Sequence, residues 1–550
     1  MAIRRFLQEA NPKDIKKMLW LTLVAGCANA FLIVVINQVA VLIAQGQRPT
    51  WFEVITFLTA FVLYYVCNKK ALLDANNIIE NLLKNLRINI ADKLRQSELR
   101  TVNKVGRGRL YSLLAYETNH LSVTFPILVE NFQQAVLLAV AMIYLGYLSL
   151  AALAVFFIAV LCGILIYAYI NENYSEVLET VARQQEKVLD LYGDLIHGSK
   201  EIRLNQKRSK DIMNVFFNES DNTEELLTNS GKQWTMMVLL SAFVMDLMLG
   251  IVAFVFPHYI EGHSDIIFQL IPTLLFCFAP LSKMVAHSPL FIRAGVGLSS
   301  IYQMEKEIES ARGVSTAVAR NKGKKFQDFK EIRFKDVIYE YTDKQGAAVF
   351  TSGPWDLEVK RGELTFLVGG NGSGKSTALR LMSGLYNWDA GQLFVDGDEV
   401  TVKDVAGFRE LFTTIFSDFH LFDRLYGLEH VDPEEVEKLL KIMDLADKVQ
   451  FKNGRFSDTH LSTGQRKRLA LITAILEDRP IYLLDEWSAE QDVHFREYFY
   501  TSILTDLRAR GKTVIVVTHD ERFWHLADRV VKFDLGQIEW DSKGDKSSYN

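Results

Sequence analysis

Cysteine is scarce in this chain, and what there is does not pair. Cys27, Cys67, Cys162 and Cys277 are the four among 550 residues, each in or beside an apolar run and none near another. That argues against a disulfide framework or a thiolate metal site and leaves four small buried hydrophobes. Proline is sparse too, ten in all, and none falls within 69–123 or 172–233, so long helices meet no breaker there. An excess of charge of one sign is also missing. The net charge of −5 is shared by two halves of different character and names no partner. Internal repeats and low-complexity tracts are absent. A cleavable leader is not expected, because Arg4, Arg5, Lys13, Lys16 and Lys17 precede an apolar span too long for a signal peptide.

What the chain does have is apolar length. Six segments, near 18–43, 52–68, 124–145, 150–171, 234–257 and 264–288, match the roughly 20 helical residues needed to cross a bilayer. Gly146-Tyr147-Leu148-Ser149 joins the third and fourth as a tight hairpin. Five Lys/Arg precede the first span, ten lie in the connection 69–123 and eight in 172–233, while the three opposite loops hold only Arg48. Basic residues mark the cytoplasmic side, so both termini and both long connections are expected there. Each connection of about 55–60 residues is rich in helix formers. Folded at its middle it gives arms of about 40 Å at 1.5 Å per residue, long enough to reach an attached cytoplasmic domain. The expected tips are Thr101 to Arg109 and Asn205 to Lys210; ordinary basic loops held by lipid headgroups are the other reading.

Polar residues interrupt the spans. Asn37 and Gln38 lie in the first, Glu130, Asn131, Gln133 and Gln134 open the third, Asp246 is in the fifth and Lys283 near the end of the sixth. Asn37, Glu130, Gln134 and Asp246 are the candidates for lining a substrate cavity. An ionisable group at membrane depth is costly and faces protein or a water-filled path. For Asp246, a cavity and a helix–helix contact stay equally open.

From about 325 the composition turns mixed and charged. The reading is a multi-domain membrane protein: a six-helix transmembrane domain over 1–309, a polar linker over 310–330, and an α/β phosphate-loop ATPase domain over 331–550.

The second half is organised around Gly369-Gly370-Asn371-Gly372-Ser373-Gly374-Lys375-Ser376-Thr377, a glycine, four free positions, then Gly-Lys-Ser. Leu364–Val368 before it reads as a buried strand, and Ala378–Tyr386 after it as a helix with Leu379, Leu381, Met382 and Leu385 inward. Glycines let successive N–H groups face an anion at a helix N-terminus. Lys375 then reaches the β- and γ-phosphates of ATP, and the Ser376 hydroxyl holds Mg²⁺. Downstream, Ile481–Leu484 leads into Asp485 and Glu486. A buried strand ending in Asp485 delivers a carboxylate to Mg²⁺, and Glu486 is placed to take a proton from the attacking water. Val514–Val517 leads to Thr518 and His519, which sets His519 to contact the γ-phosphate and hold Glu486. Glu331–Tyr341 alternates like a strand, so Tyr341 is the candidate for stacking on the base. Tyr339 competes for that role.

Leu461-Ser462-Thr463-Gly464-Gln465 opens a basic helix about twenty residues before Asp485. It resembles the signature motif of ATP-binding cassette proteins, whose usual form has glycine at Thr463. The resemblance covers essentially the whole chain, six spans and one cassette, and matches exporter-type half-transporters. It implies that the signature serine and glycine N–H groups bind the γ-phosphate held by a second copy, so that a homodimer encloses two ATP. It also implies substrate export by alternating access.

A narrower resemblance rests on departures from the common cassette. Asp485-Glu486-Trp487-Ser488-Ala489-Glu490-Gln491-Asp492 stands where Ala-Thr-Ser-Ala-Leu-Asp follows the glutamate elsewhere, and Ser417 where most cassettes have glutamine. With Gly198–Asn205, these look like the bacterial cyclic-peptide exporters, which include exporters of lasso-peptide microcins and pyoverdine precursors. That implies a bacterial inner membrane and a small, cyclic or siderophore-type peptide or other amphipathic substrate, with no nucleic-acid role. Asp418 is the natural substitute for the missing glutamine as a Mg²⁺ ligand. Rival readings are a flippase or multidrug exporter of the same architecture, and an ATP-gated channel or sensor.

Overall fold

The structure, a computed structural model, describes residues 2–105, 110, 114, 117–255, 264–310, 326–343, 347–401 and 404–542. It divides into two compact units, Met1–Arg95 with Val102–Ser310, and Gln96–Thr101 with Ala311–Asn550.

The first unit is helical: Ala2–Gln8, Pro12–Ala44, Trp51–Gln96, Thr118–Leu148, Leu150–His197, Ser199–Leu204, Gln206–Gly250 and Ser264–Ser310, while the short helix Leu99–Val105 is divided between the units. Local chemistry sets the ends. Asn11 caps the second helix by accepting from the Lys13 N–H, with Pro12 at the first helical position. Ser149 alone separates the third and fourth expected spans; it is extended and caps the helix beginning at Leu150. Spans and connections run together as single helices, the longest of 48 residues.

Among the described residues, five helices are long and apolar enough to cross a membrane, Pro12–Ile43, Trp51–Gln96, Thr118–Leu148, Gln206–Val255 and Gln269–Glu309. The fourth expected span lies on the helix Leu150–His197, where the apolar stretch among the described residues is only Leu150–Leu165. The chain is a membrane protein.

The second hairpin tip comes earlier than expected. The helix Leu150–His197 closes at Gly198, whose N–H bonds to the Asp194 carbonyl. Asn205 accepts from the Lys207 and Arg208 N–H groups, so it starts the return helix instead of opening the turn. On the other connection the long helix stops at Gln96, and residues 106–109 of the expected tip lie outside the described residues. Most of the expected linker, 311–325, lies outside them as well, while Phe326 and Phe329 are buried in the core of the second unit.

That unit contains twelve strands, β1 Glu331–Thr342, β2 Ala348–Lys360, β3 Leu364–Val368, β4 Ala390–Val395, β5 Asp398–Glu399, β6 Phe412–Ile415, β7 Phe451–Lys452, β8 Arg455–Phe456, β9 Ile481–Asp485, β10 Thr513–Val517, β11 Arg529–Asp534 and β12 Gln537–Asp541. The central sheet runs β12-β11-β3-β10-β9-β6, parallel except for β12. A four-stranded antiparallel sheet runs β2-β1-β4-β5. Every residue of β3, β9 and β10 is buried, as an apolar run covered on both faces requires. Side chains alternate between those faces. Phe366, Leu484 and Val516 pack with Leu469, Leu471 and Ile472 of the helix Thr463–Glu477. Leu367, Leu483 and Ile515 pack with Leu379 and Met382 of the helix Lys375–Met382 and with Phe334 and Trp355. The phosphate-loop helix starts earlier and is shorter than the sequence indicates, because Gly384 turns the chain at φ +69°; Leu385 is half-buried.

Candidate functional site

Strand register assembles the site. Val517 of β10 pairs with Leu367 of β3 on one side and Asp485 of β9 on the other. The residues just beyond these ends, Gly369 onward, Glu486 and Thr518–His519, therefore meet at one edge of the sheet, the edge where open α/β sheets bind ligands.

The loop after β3 owes its shape to glycine. Gly369 has φ +141°, and a side chain there would come within 2.1 Å of the Phe533 carbonyl. Gly374, at φ +98°, caps the helix Lys375–Met382. The loop bounds a cleft of about 320 Å³ lined by Phe350, Asn371, Gly372, Ser373, Gly374, Lys375, Ser376, Thr377 and Glu486. Lys375 is 5% exposed. Its Nζ donates to the Gly369 and Gly370 carbonyls at 2.9 and 2.7 Å, and burial holds its pKa below the ordinary value against the pull of Glu486 and Asp485. A buried ammonium at the mouth of a ring of N–H groups suits a polyphosphate.

Mg²⁺ fits the donors beneath it. Asp485 is fully buried. Its Oδ1 accepts from Ser376 Oγ at 3.2 Å, and its Oδ2 has no hydrogen-bond partner. Burial raises the Asp485 pKa, Ser376 lowers it, Glu486 raises it again, and the Ser417 N–H and Arg380 lower it. An acid so placed gains from a hard cation bound through oxygen.

Asp418 is not brought to this pair. Its side chain is 74% exposed and turned to Arg380 at 3.5 Å, because the arginine offers the nearer charge. The group of this loop that reaches Asp485 is the Ser417 backbone N–H.

Glu486 takes a left-handed backbone, φ +47°, unusual for a residue with a side chain. Its N–H donates to the Val517 carbonyl at 3.2 Å, and its own carbonyl accepts from Lys467 Nζ at 2.7 Å. Glu486 Oε1 lies 3.1 Å from His519 Nε2. An ionised carboxylate only accepts, so the His519 ring nitrogen is the donor. Behind His519, Thr518 Oγ1 bonds to the Tyr500 hydroxyl at 2.6 Å and accepts from the Asp520 N–H at 3.0 Å.

Tyr339 and Tyr341 divide their work. Tyr339 is 2% exposed and stacks on Tyr386 with 5.0 Å between ring centroids. Tyr341 is half-buried, with its hydroxyl 3.2 Å from Thr377 Oγ1, beside the phosphate-loop helix. Phe350, which sequence reasoning missed, is the cross-strand partner of Tyr341.

Ser462 caps the helix Thr463–Glu477 through a reciprocal capping box with Gln465. Leu461 is half-buried; Ser462 and Thr463 are exposed. Gly464 is packed so closely that a side chain would meet the Glu490 carbonyl at 2.5 Å. None of these five residues lines the phosphate-loop cleft.

The four cavity candidates do not share one role. Asn37 is 1% exposed and donates to Thr273 Oγ1 at 2.8 Å, a helix–helix bond. Glu130 pairs with Lys283 at 2.9 Å, and Gln134 is half-buried. Asp246 is exposed on the helix Gln206–Gly250.

The family model described as ABC transporter matches residues 353–489. The chain is similar to the ATP-binding protein SyrD of Pseudomonas syringae pv. syringae, 30% identical with 98% of each chain covered. An ATP-dependent lipid A-core flippase of Hahella chejuensis is 26% identical over 48% of this chain and 45% of its own. The structure of a bacterial Atm1-family ABC exporter with ATP bound has the same fold, with a TM-score of 0.78 at 18% identity, over 98% of this chain and 95% of that one. Phosphate loop, carboxylate pair, histidine and capped signature thus occur together in a chain that an ATP-binding protein matches over 98% of its length, and the chain belongs to the ABC transporter family as an exporter-type half-transporter that couples ATP hydrolysis to transport.

Proposed function

We propose that two copies of this chain form a homodimeric exporter of the bacterial inner membrane, with both termini cytoplasmic, that moves a small peptide of cyclic or siderophore type outward. The observation that carries the peptide reading is the pair of strings Gly198–Asn205 and Asp485–Asp492, which resemble those of bacterial cyclic-peptide exporters. The lipid A-core flippase matches over only 48% of the chain, whereas the similarity to SyrD extends over 98% of it, membrane half included.

In this reading Tyr341 stacks on the base, and the loop N–H groups with Lys375 hold the phosphates. Ser376 and Asp485 would hold Mg²⁺, which when bound neutralises charge on the β- and γ-phosphates. Glu486 takes the proton of the attacking water, and His519 fixes the carboxylate that receives it. Ser462 and Gly464 of the second copy close over the γ-phosphate from the opposite side. Closure turns the helices outward, and hydrolysis resets them. The 69–123 and 172–233 connections carry the movement.

A lipid substrate is the second reading. An apolar cleft of about 630 Å³ lies between the helices Pro12–Ala44 and Trp51–Gln96, lined by Leu23, Phe31, Ile55 and Leu63 among others, and it favours that alternative. Reconstituted protein in inside-out vesicles separates the two. ATP-dependent uptake of a labelled cyclic or siderophore-type peptide, with matching stimulation of ATPase, is expected. Lipid translocation without peptide uptake would assign the flippase reading, and passive flux down a gradient the channel.

A further inference from the structure

The residues that depart from the common cassette pattern after Glu486 are bonded to one another and to the signature helix. Lys467, on the helix Thr463–Glu477, is 1% exposed. Its ammonium donates to the Glu486 carbonyl at 2.7 Å and to the carboxylate of Glu490. Trp487 Nε1 donates to the Lys467 carbonyl at 2.9 Å, and the Trp487 ring stacks on Phe499 with 4.4 Å between centroids. Gln491 donates to the Gly464 carbonyl at 3.0 Å and accepts from Arg468 Nε at 2.8 Å. Arg468 also reaches Asp492 at 2.6 Å. Thus Trp487, Glu490, Gln491 and Asp492 all hold to the first turns of one helix.

We infer that Lys467, with Glu490, is a positioning residue for hydrolysis: it pins the left-handed turn at Glu486 and ties the catalytic carboxylate to the signature helix. The inference rests on Glu486 being the base. The Glu486 backbone is held at one end by the Val517 carbonyl and at the other by Lys467 at 2.7 Å, with the Ala489 N–H on the same carbonyl at 3.3 Å. Without Lys467 only the longer Ala489 bond holds that carbonyl, so the backbone is less firmly kept in a conformation that non-glycine residues avoid, and the carboxylate shifts from His519. The pin has a consequence across the dimer. The helix carrying Lys467 opens with Ser462 and Gly464, which this account assigns to the partner's nucleotide. Engagement of one nucleotide therefore sets the base that acts on the other. Glu490 pairs with the buried ammonium and aims it, since a buried charge without a partner is costly.

The test uses full-length protein in lipid nanodiscs, with ATPase kcat and KM, ATP binding and thermal stability measured for Lys467→Met, Lys467→Arg, Glu490→Gln and Glu486→Gln. Glu486→Gln is the reference and is expected to lose about 100-fold or more in kcat while still binding ATP. Lys467→Met should lower kcat about 10- to 100-fold, the scale of one charged hydrogen bond, with KM and melting temperature near wild type. Lys467→Arg should recover part of the loss, and Glu490→Gln should be milder than Lys467→Met. Adding Lys467→Met to Glu486→Gln should cost nothing further in single-turnover hydrolysis, because the lysine acts only through that carboxylate. Wild-type kcat in Lys467→Met beside an inactive Glu486→Gln overturns the inference. So does a parallel fall of kcat, ATP binding and melting temperature without rescue by arginine. An active Glu486→Gln overturns the reading of the base itself.

Discussion

Single residues in this cassette are set by what burial does to charge. Glu363, just before β3, is the plainest case away from the nucleotide. Burial raises its pKa, with Arg529, the Lys360 N–H and Lys360 itself pulling it down and Asp528 pushing it up. A carboxyl whose folded pKa lies above its unfolded value favours the protonated form in the native state. Its contribution is therefore present below the ordinary glutamate range, about 4.3, and is lost as pH rises through the raised folded value. At neutral pH the ionised Glu363 costs stability. Glu363→Gln is expected to raise the melting temperature of the purified protein at about pH 7.5, with the gain shrinking as pH falls to about 4. A gain that stays constant with pH, or a loss at neutral pH, would show that the contact with Arg529 outweighs burial. The same logic makes Asp485 legible in outline from sequence: an acid ending an apolar strand is buried and needs a cation. Lys467 was not legible. It sits four residues before Leu471, on the buried stripe of its helix, and a lysine there needs a carboxylate. Glu490 supplies it from a turn that sequence alone does not fold back.

Among the elements, the central parallel strands β3, β9 and β10 were the most legible, because each is a short, largely apolar run leading to a glycine or polar tip. Hairpins and turns were less so. The β1–β2 pair joins Tyr341 to Phe350 and Glu340 to Thr351, and no motif around Phe350 signals that it will line the cleft. Tyr339 and Tyr341 are two residues apart with no register shift between them, so their side chains share one face of β1. Both rings end up on the side of Tyr386, Tyr339 as a fixed support and Tyr341 beside Thr377. Tyr341→Ala is expected to raise KM for ATP about 3- to 10-fold, the scale of one aromatic contact, and Tyr341→Trp to keep it near wild type. Tyr339→Ala is expected to lower thermal stability first, as loss of a buried aromatic does. If Tyr339→Ala alone changes KM while Tyr341→Ala does not, the base lies on the other ring. The second helical hairpin turns before the basic string that marks it in sequence, because Gly198 closes one helix and Asn205 caps the next.

At the scale of the whole molecule, the proposed homodimer rests on a site that one chain alone would leave incomplete. The phosphate-loop cleft is lined by Phe350, Asn371–Thr377 and Glu486, while Ser462 and Thr463 stand exposed at a capped helix N-terminus that does not contribute to it. An N-terminus of this kind attracts an anion, and in the proposed homodimer the second copy would supply one in its γ-phosphate. Mixed dimers test this most directly. Lys375→Ala disables the phosphate loop and Ser462→Arg disables the signature, so each variant alone is expected to be nearly inactive. Combined in one dimer, with differently tagged copies purified through both tags, the two defects fall on the same composite site and leave the other whole. The account predicts that the mixed dimer regains a substantial part of wild-type ATPase activity. A mixed dimer as inactive as either parent would contradict it.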